Sequence, residues 1–431
     1  MPSVALYTLG CKVSQYETEA VAELFEARGF ALLPHTERAD VYVINTCTVT
    51  AESDRKSRQI IRRLRGQNPE AIVAVMGCYS QRAPEDISAI GADIVVGTDN
   101  KLSVVDRAVD MLSGSPRGYL SVTDLDDARF EPMSIKRAPR TRAYVKIEDG
   151  CEARCSYCAI SGARGPVRSK PREDVIREVE ALSASGVREI VLTGIETGSY
   201  GRDFGSDYGL ADLILELDRR GSAERIRLGS LAPELIGQSF AERVASARSL
   251  APHFHLSVQS GSDRILGLMR RRYSRKMALD NIAALKKNIP GVRFTTDLMV
   301  GFPTESDEDF ADTVSLLREV GFIACHVFAY SKRAGTPAAT FAGQVPEAVK
   351  RARSAELIRV ASEVRDGVLE EIVRRGEPLS CILETFSGGV YSAHSDEFAE
   401  VSIAAEAGRE GDLVRAIPIS HSGGIITAKL I

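Results

Sequence analysis

Short apolar runs alternate with helix-like stretches over the first hundred residues. Residues 4–9 read as a strand, 17–28 as a helix stopped by Gly29, 41–44 as a second strand ahead of a helix over 51–65, and 72–76 as a third strand. Alternating strands and helices, with strands apolar on both faces, predict a parallel sheet with crossover helices. From 113 to 142 the periodicity lapses into a polar, basic stretch containing Pro116, Pro132 and Pro139, which reads as a linker with one short strand.

Beyond the linker, strand-like runs recur at 144–147, 190–193, 226–228, 254–258, 293–300 and 325–330, separated by helical patterns. Two of those helices are well delimited: 172–185 closed by Gly186, and 306–320 closed by Gly321, where Ser306 and Asp309 resemble a capping box. Six strand-helix units predict a partial barrel. Residues 346–375 read as one long charged helix, and the tail from 376 to 431 as a small β domain of short runs punctuated by glycine pairs.

At 431 residues the chain is long enough for two or three domains. A net charge of -4 excludes wholesale polyanion binding but not local phosphate contacts. No stretch of about 18 apolar residues occurs, and the first apolar run has neither a basic flank nor a small-residue cleavage site. The expectation is a cytoplasmic protein without a membrane partner, in which eight cysteines serve as thiolates rather than disulfides.

Six of those cysteines fall in two trios. Cys151, Cys155 and Cys158 share one run directly after the strand at 144–147, and Gly150 ahead of them permits the turn a wrapping loop needs. A structural zinc site wants four ligands, and no histidine or fourth cysteine lies in this loop, so a four-iron cluster held at three corners is the better reading. Cys11, Cys47 and Cys78 each follow a predicted strand by the same short step, as Leu9-Gly10-Cys11, Asn45-Thr46-Cys47 and Met76-Gly77-Cys78. Singly each would be an ordinary buried residue. Parallel strands share one carboxyl edge, however, where open α/β folds gather ligands, and three in phase predict a second cluster. Cys325 and Cys381 read as core residues.

The stretch 147–160, with Ala163-Arg164-Gly165 and Arg168-Ser169, resembles the radical S-adenosylmethionine (SAM) methylthiotransferase family. The resemblance continues in Gly10-Cys11-Lys12-Val13, Asn45-Thr46-Cys47-Thr48-Val49, Gly77-Cys78, Gln259-Ser260-Gly261-Ser262-Asp263, Thr296-Asp297 and Val300-Gly301-Phe302-Pro303, so it spans nearly the whole chain. Residues 193–201 and 326–338 look like the branch acting on N6-threonylcarbamoyladenosine at tRNA position 37, while Ser14, Ser161-Gly162 and 229–233 depart from the expected pattern. The resemblance implies an α/β fold with an N-terminal parallel-sheet domain at 1–112, a linker at 113–140, a partial (β/α)6 barrel of radical SAM type at 141–372, and a TRAM-like, RNA-binding β-barrel domain at 373–431.

It also implies two 4Fe-4S clusters. The one on Cys151, Cys155 and Cys158 would chelate SAM and reduce it to yield a 5'-deoxyadenosyl radical, and the one on Cys11, Cys47 and Cys78 would carry the sulfur that is methylated by a second SAM and joined to carbon 2 of the adenine. The cofactor would meet Gly194 and Glu196 at its aminoacyl end, Ser230 and Gln259 at its midsection, and Val300 and Gly301 at the adenine, with Asp297 positioning it or handling a proton. Gly194 and Gly301 also read as turn glycines, and Asp297 as a turn cap.

The partners so implied are a tRNA anticodon loop, whose bases can be splayed out, and a one-electron reductant such as a flavodoxin or ferredoxin. Basic clusters at 137–142, 164–172 and 270–276 are the candidate RNA contacts, and 62–65 a solvated helix face; the tail is acidic, with Glu384, Asp396, Glu397, Glu400, Glu406, Glu410 and Asp412. Rival readings keep the chemistry and change the target, to isopentenyl-adenosine or a ribosomal-protein aspartate, or make the chain a non-catalytic iron-sulfur carrier.

Overall fold

A computed structural model describes residues 1–138, 141–404 and 408–431; Pro139 and Arg140 of the predicted linker and Glu406 of the tail lie outside the described residues. The chain forms two compact units. The first comprises Met1–Ile135, Tyr144–Lys170 and Ser331–Ala339, the second Lys136–Ala143, Pro171–Tyr330 and Thr340–Ile431. Among the described residues no helix is long and apolar enough to cross a membrane.

The first unit is built on six parallel strands, β1 (Ser3–Thr8), β2 (Ala31–Leu33), β3 (Val41–Thr46), β4 (Ile72–Gly77), β5 (Ile94–Val96) and β6 (Tyr119–Ser121), in the order β2-β1-β3-β4-β5-β6. Alternate side chains feed two separate cores. Val41, Val43, Ile72, Ala74 and Met76 pack on one face with Val21 and Phe25 of the helix Lys12–Ala27, and Tyr42, Ile44, Val73 and Val75 on the other with Ile60, Ile61 and Leu64 of the helix Ala51–Gln67. Burial on both faces is why these strands read as unbroken apolar runs. The first helix begins at Lys12, five residues before the predicted start, because Cys11 takes the extended backbone of an N-cap (φ -92°, ψ -178°). The one strand expected in the 113–142 stretch is β6, which closes the sheet edge against β5.

Three further strands, β7 (Arg142–Lys146), β8 (Glu148–Asp149) and β9 (Arg168–Ser169), bracket the second cysteine run, with β8 and β9 paired antiparallel. The division between the units falls within β7.

In the second unit β10 (Glu189–Thr193) pairs in parallel with β11 (Arg225–Leu228), and β12 (Ser230–Leu231), β13 (His253–Gln259), β14 (Arg293–Val300) and β15 (Ala324–Ala329) form a parallel sheet in that order. The expected barrel strands are thus present, with a break at Gly229 between β11 and β12. A side chain at 229 would stand 2.9 Å from Thr197 Oγ1, so only glycine passes there. The capping box at Ser306 and Asp309 forms as predicted, and Gly321 ends that helix in the left-handed region.

The tail is a closed barrel of β16 (Leu379–Ser387), β17 (Val390–Ser395), β18 (Glu400–Ala404), β19 (Leu413–Ser422) and β20 (Ile425–Leu430), ordered β16-β17-β18-β20-β19. Cys381, Leu383, Val401, Ile403 and Ile426 fill it, with Leu369 and Ile372 of the long helix Glu347–Arg375. Cys381 is a core residue as expected, whereas Cys325 is only half-buried. Several of the tail's acids are spent internally: Glu384 on Arg142 and His394, and Glu397 on Arg293 and Arg375.

Glu189 anchors this unit electrostatically. Fully buried, it pairs with Arg225 (3.1 Å), Arg227 (3.2 Å) and Arg142 (3.3 Å), and Arg227 also donates to the carbonyls of Ser395 and Asp396 at 3.1 Å. Burial opposes its charge, but the three guanidiniums prevail and hold its carboxyl down at about 2. Glu189→Gln is expected to cost about 3–5 kcal/mol, because it strands buried cations. Since the folded pKa lies below the ordinary one, this stabilisation is complete above about pH 4.5 and is lost as pH falls towards 2. Urea denaturation of both proteins at pH 7 and pH 3 checks this: the gap between them should narrow at the lower pH.

Candidate active site

The cysteines of the first trio follow β1, β3 and β4 along one sheet edge. Gly10 (φ +120°) lies so close to Cys47 that a side chain there would sit 3.2 Å from its Cβ. Asn45 Nδ2 donates to Ser14 O (2.9 Å), tying the end of β3 to the helix behind Cys11, and Thr46 Oγ1 donates to Met76 O (2.8 Å), tying it to the end of β4 ahead of Cys78. Gly77 adopts φ +105°, and a Cβ there would fall 2.6 Å from Thr46 O, so the strand ends meet only through glycine. The Cys47 loop is fastened by Arg333, which donates to Thr48 Oγ1 (2.7 Å) and Asp54 Oδ2 (2.6 Å).

Cys11 is exposed, whereas Cys47 and Cys78 are buried. Burial pushes the Cys78 thiol up to about 12 and raises that of Cys47. Cys11 and Cys47 meet through Gly10, where an added Cβ would lie 3.5 Å from Cys47 Sγ, and Cys47 and Cys78 through the Thr46–Met76 hydrogen bond.

The second trio sits on an irregular loop, as its spacing predicts. Gly150 (φ +91°) approaches the Pro166 carbonyl so closely that a Cβ would lie 1.8 Å from its oxygen, and Cys151 N donates to Gly165 O (3.0 Å). Arg154 takes a left-handed backbone (φ +47°), and Cys158 Sγ accepts from Ile160 N at 3.3 Å. Both trios belong to the first unit. Among the described residues no three His, Cys, Asp or Glu side chains converge as on a single ion. A polynuclear core takes one thiolate per corner and needs no such convergence. The donor sets, soft sulfur with Arg164 Nε donating to Cys78 in the first trio and Ile160 N to Cys158 in the second, suit iron-sulfur ligation.

Sequence reasoning placed Arg164, Arg168 and Lys170 in a basic cluster facing RNA, and the structure corrects this. All three are buried. Arg164 pairs with Glu17 (2.6 Å) and Asp149 (3.1 Å), Lys146 with Asp149 (2.6 Å) and Glu17 (2.9 Å), Lys101 with Glu17 (3.2 Å), and Lys170 donates to Met133 O (2.7 Å). Burial opposes each charge, yet the cations hold the carboxyls of Glu17 and Asp149 well below their usual range, so both are ionised. The one available signal was position: Asp149 and Arg164 flank the cysteine run, and a surface arginine cluster does not explain two acids directly ahead of a ligand loop. Farther along, Arg270 and Arg272 are exposed; Arg275 donates to the Asp312 carbonyl and pairs with Glu319, and Lys276 pairs with Asp280.

In the second unit, Glu196 follows β10 and accepts from Ala232 N (3.0 Å); burial pushes its carboxyl up to about 7. Gly194 precedes it in the same half-buried turn. Ser230 opens β12 opposite His255 in register. Gln259 ends β13 in a left-handed conformation (φ +66°), buried, with its Oε1 lacking a hydrogen-bond partner. Asp297 is held between two histidines that sequence reasoning did not single out, His255 Nε2 at 3.2 Å and His326 Nδ1 at 3.3 Å, and they keep it ionised against the pull of burial. Val300 and Gly301 have their own structural engagements: Val300 O accepts from Tyr330 N (2.9 Å), Gly301 N donates to both Glu305 carboxylate oxygens (3.0 Å), and a Cβ at 301 would lie 2.4 Å from Lys350 Cγ.

A three-thiol loop in one unit and a run of parallel strands with crossover helices in the other are the parts of a radical SAM enzyme. The sequence pattern of the Radical SAM superfamily matches residues 145–317, and that of the uncharacterized protein family UPF0004 matches residues 3–97. The chain is 41% identical to the threonylcarbamoyladenosine tRNA methylthiotransferase MtaB of Bacillus subtilis, covering 93% of this chain and 90% of that one, and 35% identical to MtaB of Thermotoga maritima, covering 99% and 96%. It belongs to the radical SAM methylthiotransferase family. Its fold is also similar to that of the radical SAM methyltransferase TsrM from Kitasatospora setae, solved with cobalamin and a 4Fe-4S cluster bound, with a TM-score of 0.59 at 16% identity over 79% of this chain and 77% of that one. An enzyme of this class works with SAM and a 4Fe-4S cluster.

The loop geometry makes Gly150 a sharp test of the ligand run. Gly150→Ala is expected to cost about 1–3 kcal/mol from backbone strain alone, and more from the contact with Pro166. Gly162→Ala, whose added methyl meets nothing within 4 Å, should be neutral or slightly stabilising. Denaturant midpoints of the two variants, compared with the unsubstituted protein, read this directly.

Proposed function

We propose that this chain methylthiolates carbon 2 of N6-threonylcarbamoyladenosine at position 37 of tRNA, with SAM as both methyl donor and radical source. The observation that carries this reading is the position of Cys11, Cys47 and Cys78 at the carboxyl ends of β1, β3 and β4, along one sheet edge and in the same unit as the loop of Cys151, Cys155 and Cys158. The names of relatives matched over nearly the full chain support the nucleoside. Each trio would hold one 4Fe-4S cluster with a corner left open; bound there, one would supply the electron that cleaves SAM and the other the sulfur to be transferred. An external one-electron reductant of the flavodoxin or ferredoxin kind would replenish that electron.

The protein's own part is binding and orientation. Glu196, once ionised, would take the ammonium group of SAM, and Gln259 would offer its unsatisfied Oε1 to the cofactor's midsection near Ser230. Asp297, fixed by His255 and His326, would present a carboxylate whose direction is set before any ligand arrives. The exposed Arg270 is one basic residue that could meet an RNA phosphate.

Anaerobic iron and sulfide analysis, followed by nucleoside mass spectrometry after incubation with tRNA, tests the assignment and separates it from isopentenyl-adenosine as substrate. In the same assay Cys155→Ala should abolish formation of 5'-deoxyadenosine, and Cys47→Ala should retain it while losing methylthiolated product. Continued methylthiolation by the Cys47 variant would refute the division of labour between the trios.

Glu196 predicts a pH dependence. Its raised pKa means that below about pH 7 a proton must leave before the ammonium can pair, so SAM affinity should rise up to about tenfold per pH unit towards 7 and then level off. Calorimetric titration of the anaerobic protein between pH 5.5 and 8.5 should show that slope, and Glu196→Gln should bind more weakly without it.

A further inference from the structure

We propose that Arg164 is a positioning residue for the cluster on Cys11, Cys47 and Cys78, setting its reduction potential through a hydrogen bond to the Cys78 sulfur. This rests on the two-cluster reading above. The geometry uses every edge of the guanidinium. Nη1 and Nη2 face Glu17 (2.6 and 3.3 Å), Nη1 also reaches Asp149 (3.1 Å), and Nε, the edge that remains, donates to Cys78 Sγ at 3.1 Å. An arginine needed only to balance two buried acids would be satisfied by its terminal fork. Here the third donor is aimed at a ligand.

The arginine cannot turn away from that sulfur. It is fully buried, and its carboxylate partners are themselves held: Glu17 by Lys101 and Lys146, Asp149 by Lys146. In so dry a place a fixed cation and an N–H at a ligand sulfur favour the more negative, reduced state of the metal centre, which raises the potential. Arg164 also closes the short helix Ile160–Arg164 that follows Cys158, and Asp149 stands two residues before Cys151. The residue that tunes one centre is therefore built into the loop that carries the other.

The test uses the full chain with Cys151, Cys155 and Cys158 all changed to Ala, reconstituted anaerobically with iron and sulfide, so that only the first trio can bind; about four irons per chain are expected. A redox titration with dithionite, in which the cluster takes up one electron and is followed by electron paramagnetic resonance, gives its midpoint potential. Arg164→Lys keeps the charge and removes the Nε–H. It should shift the midpoint to more negative potential by roughly a tenfold change in the reduction equilibrium, about 59 mV for one electron, at unchanged iron content. An unchanged midpoint with a full cluster overturns the proposal. Absence of any cluster in the parent protein instead overturns the two-cluster reading, and the role of Arg164 with it.

A second measurement needs no change at Arg164. Parent protein grown with 15N-arginine should show a 15N hyperfine coupling on the reduced cluster in pulsed electron paramagnetic resonance. Its absence overturns the proposal even if the lysine variant does not fold, and an arginine that serves only to pair Glu17 and Asp149 would leave the midpoint potential unmoved by Arg164→Lys.

Discussion

The charge network of Glu17, Asp149, Lys101, Lys146 and Arg164 is the constraint on which the cysteine geometry depends. These five side chains come from the first helix, the segment around residue 101, β7, β8 and the helix after Cys158, and all are buried. Removing such charges from water is expensive, and packed hydrophobic residues of the same volume would often be as stable or more so. What the network provides is register. Each carboxylate accepts from two or more cations at fixed positions, so a shift of any segment would leave a buried charge unmatched at a cost of several kcal/mol. Segments that carry two cysteine trios need that intolerance more than they need net stability.

A second device serves the same end with neutral groups. Gly10 and Gly77 let the carboxyl ends of β1, β3 and β4 crowd together, and Asn45 and Thr46 lock those ends by bonds to Ser14 O and Met76 O. The Asn and Thr immediately ahead of Cys47 are fully buried, so their side chains are ties within the sheet edge and not solvent-facing polar residues. The position of Cys47 is set from both sides, by its neighbours in sequence and by Arg333 gripping the loop behind it.

The second unit follows a different logic. Its structural charges centre on Glu189, while three polar groups at or just past its strand ends are set differently: Glu196 with a carboxyl raised to about 7, Gln259 with an unsatisfied oxygen, Asp297 fixed between two imidazoles. Perturbed acidity and an orphaned buried acceptor are costly in a folded chain and are retained where a ligand can satisfy them.

The order of elements, the parallel sheet, the capping box at Ser306 and the place of Cys11, Cys47 and Cys78 past three strand ends were legible in the chain, because each leaves a local mark: two-faced apolar runs, a serine three positions before an aspartate, thiols at a repeated step past strand ends. The early start of the first helix was not, since Lys12, Ser14 and Gln15 hide its period and only the extended backbone at Cys11 marks the cap. Nor was the fate of Arg164, Arg168 and Lys170. A run of cations looks the same in sequence whether it faces solvent or a pair of buried acids contributed by segments more than a hundred residues apart. Sequence by itself determined which atoms could ligate metal and which strands would carry them, because those depend on local spacing and hydrophobic period. Tertiary structure alone decided which charges are spent inside, what stands beside each sulfur and which polar atoms remain unsatisfied, because electrostatic energy depends on distance through space and on burial, and neither is written along the chain.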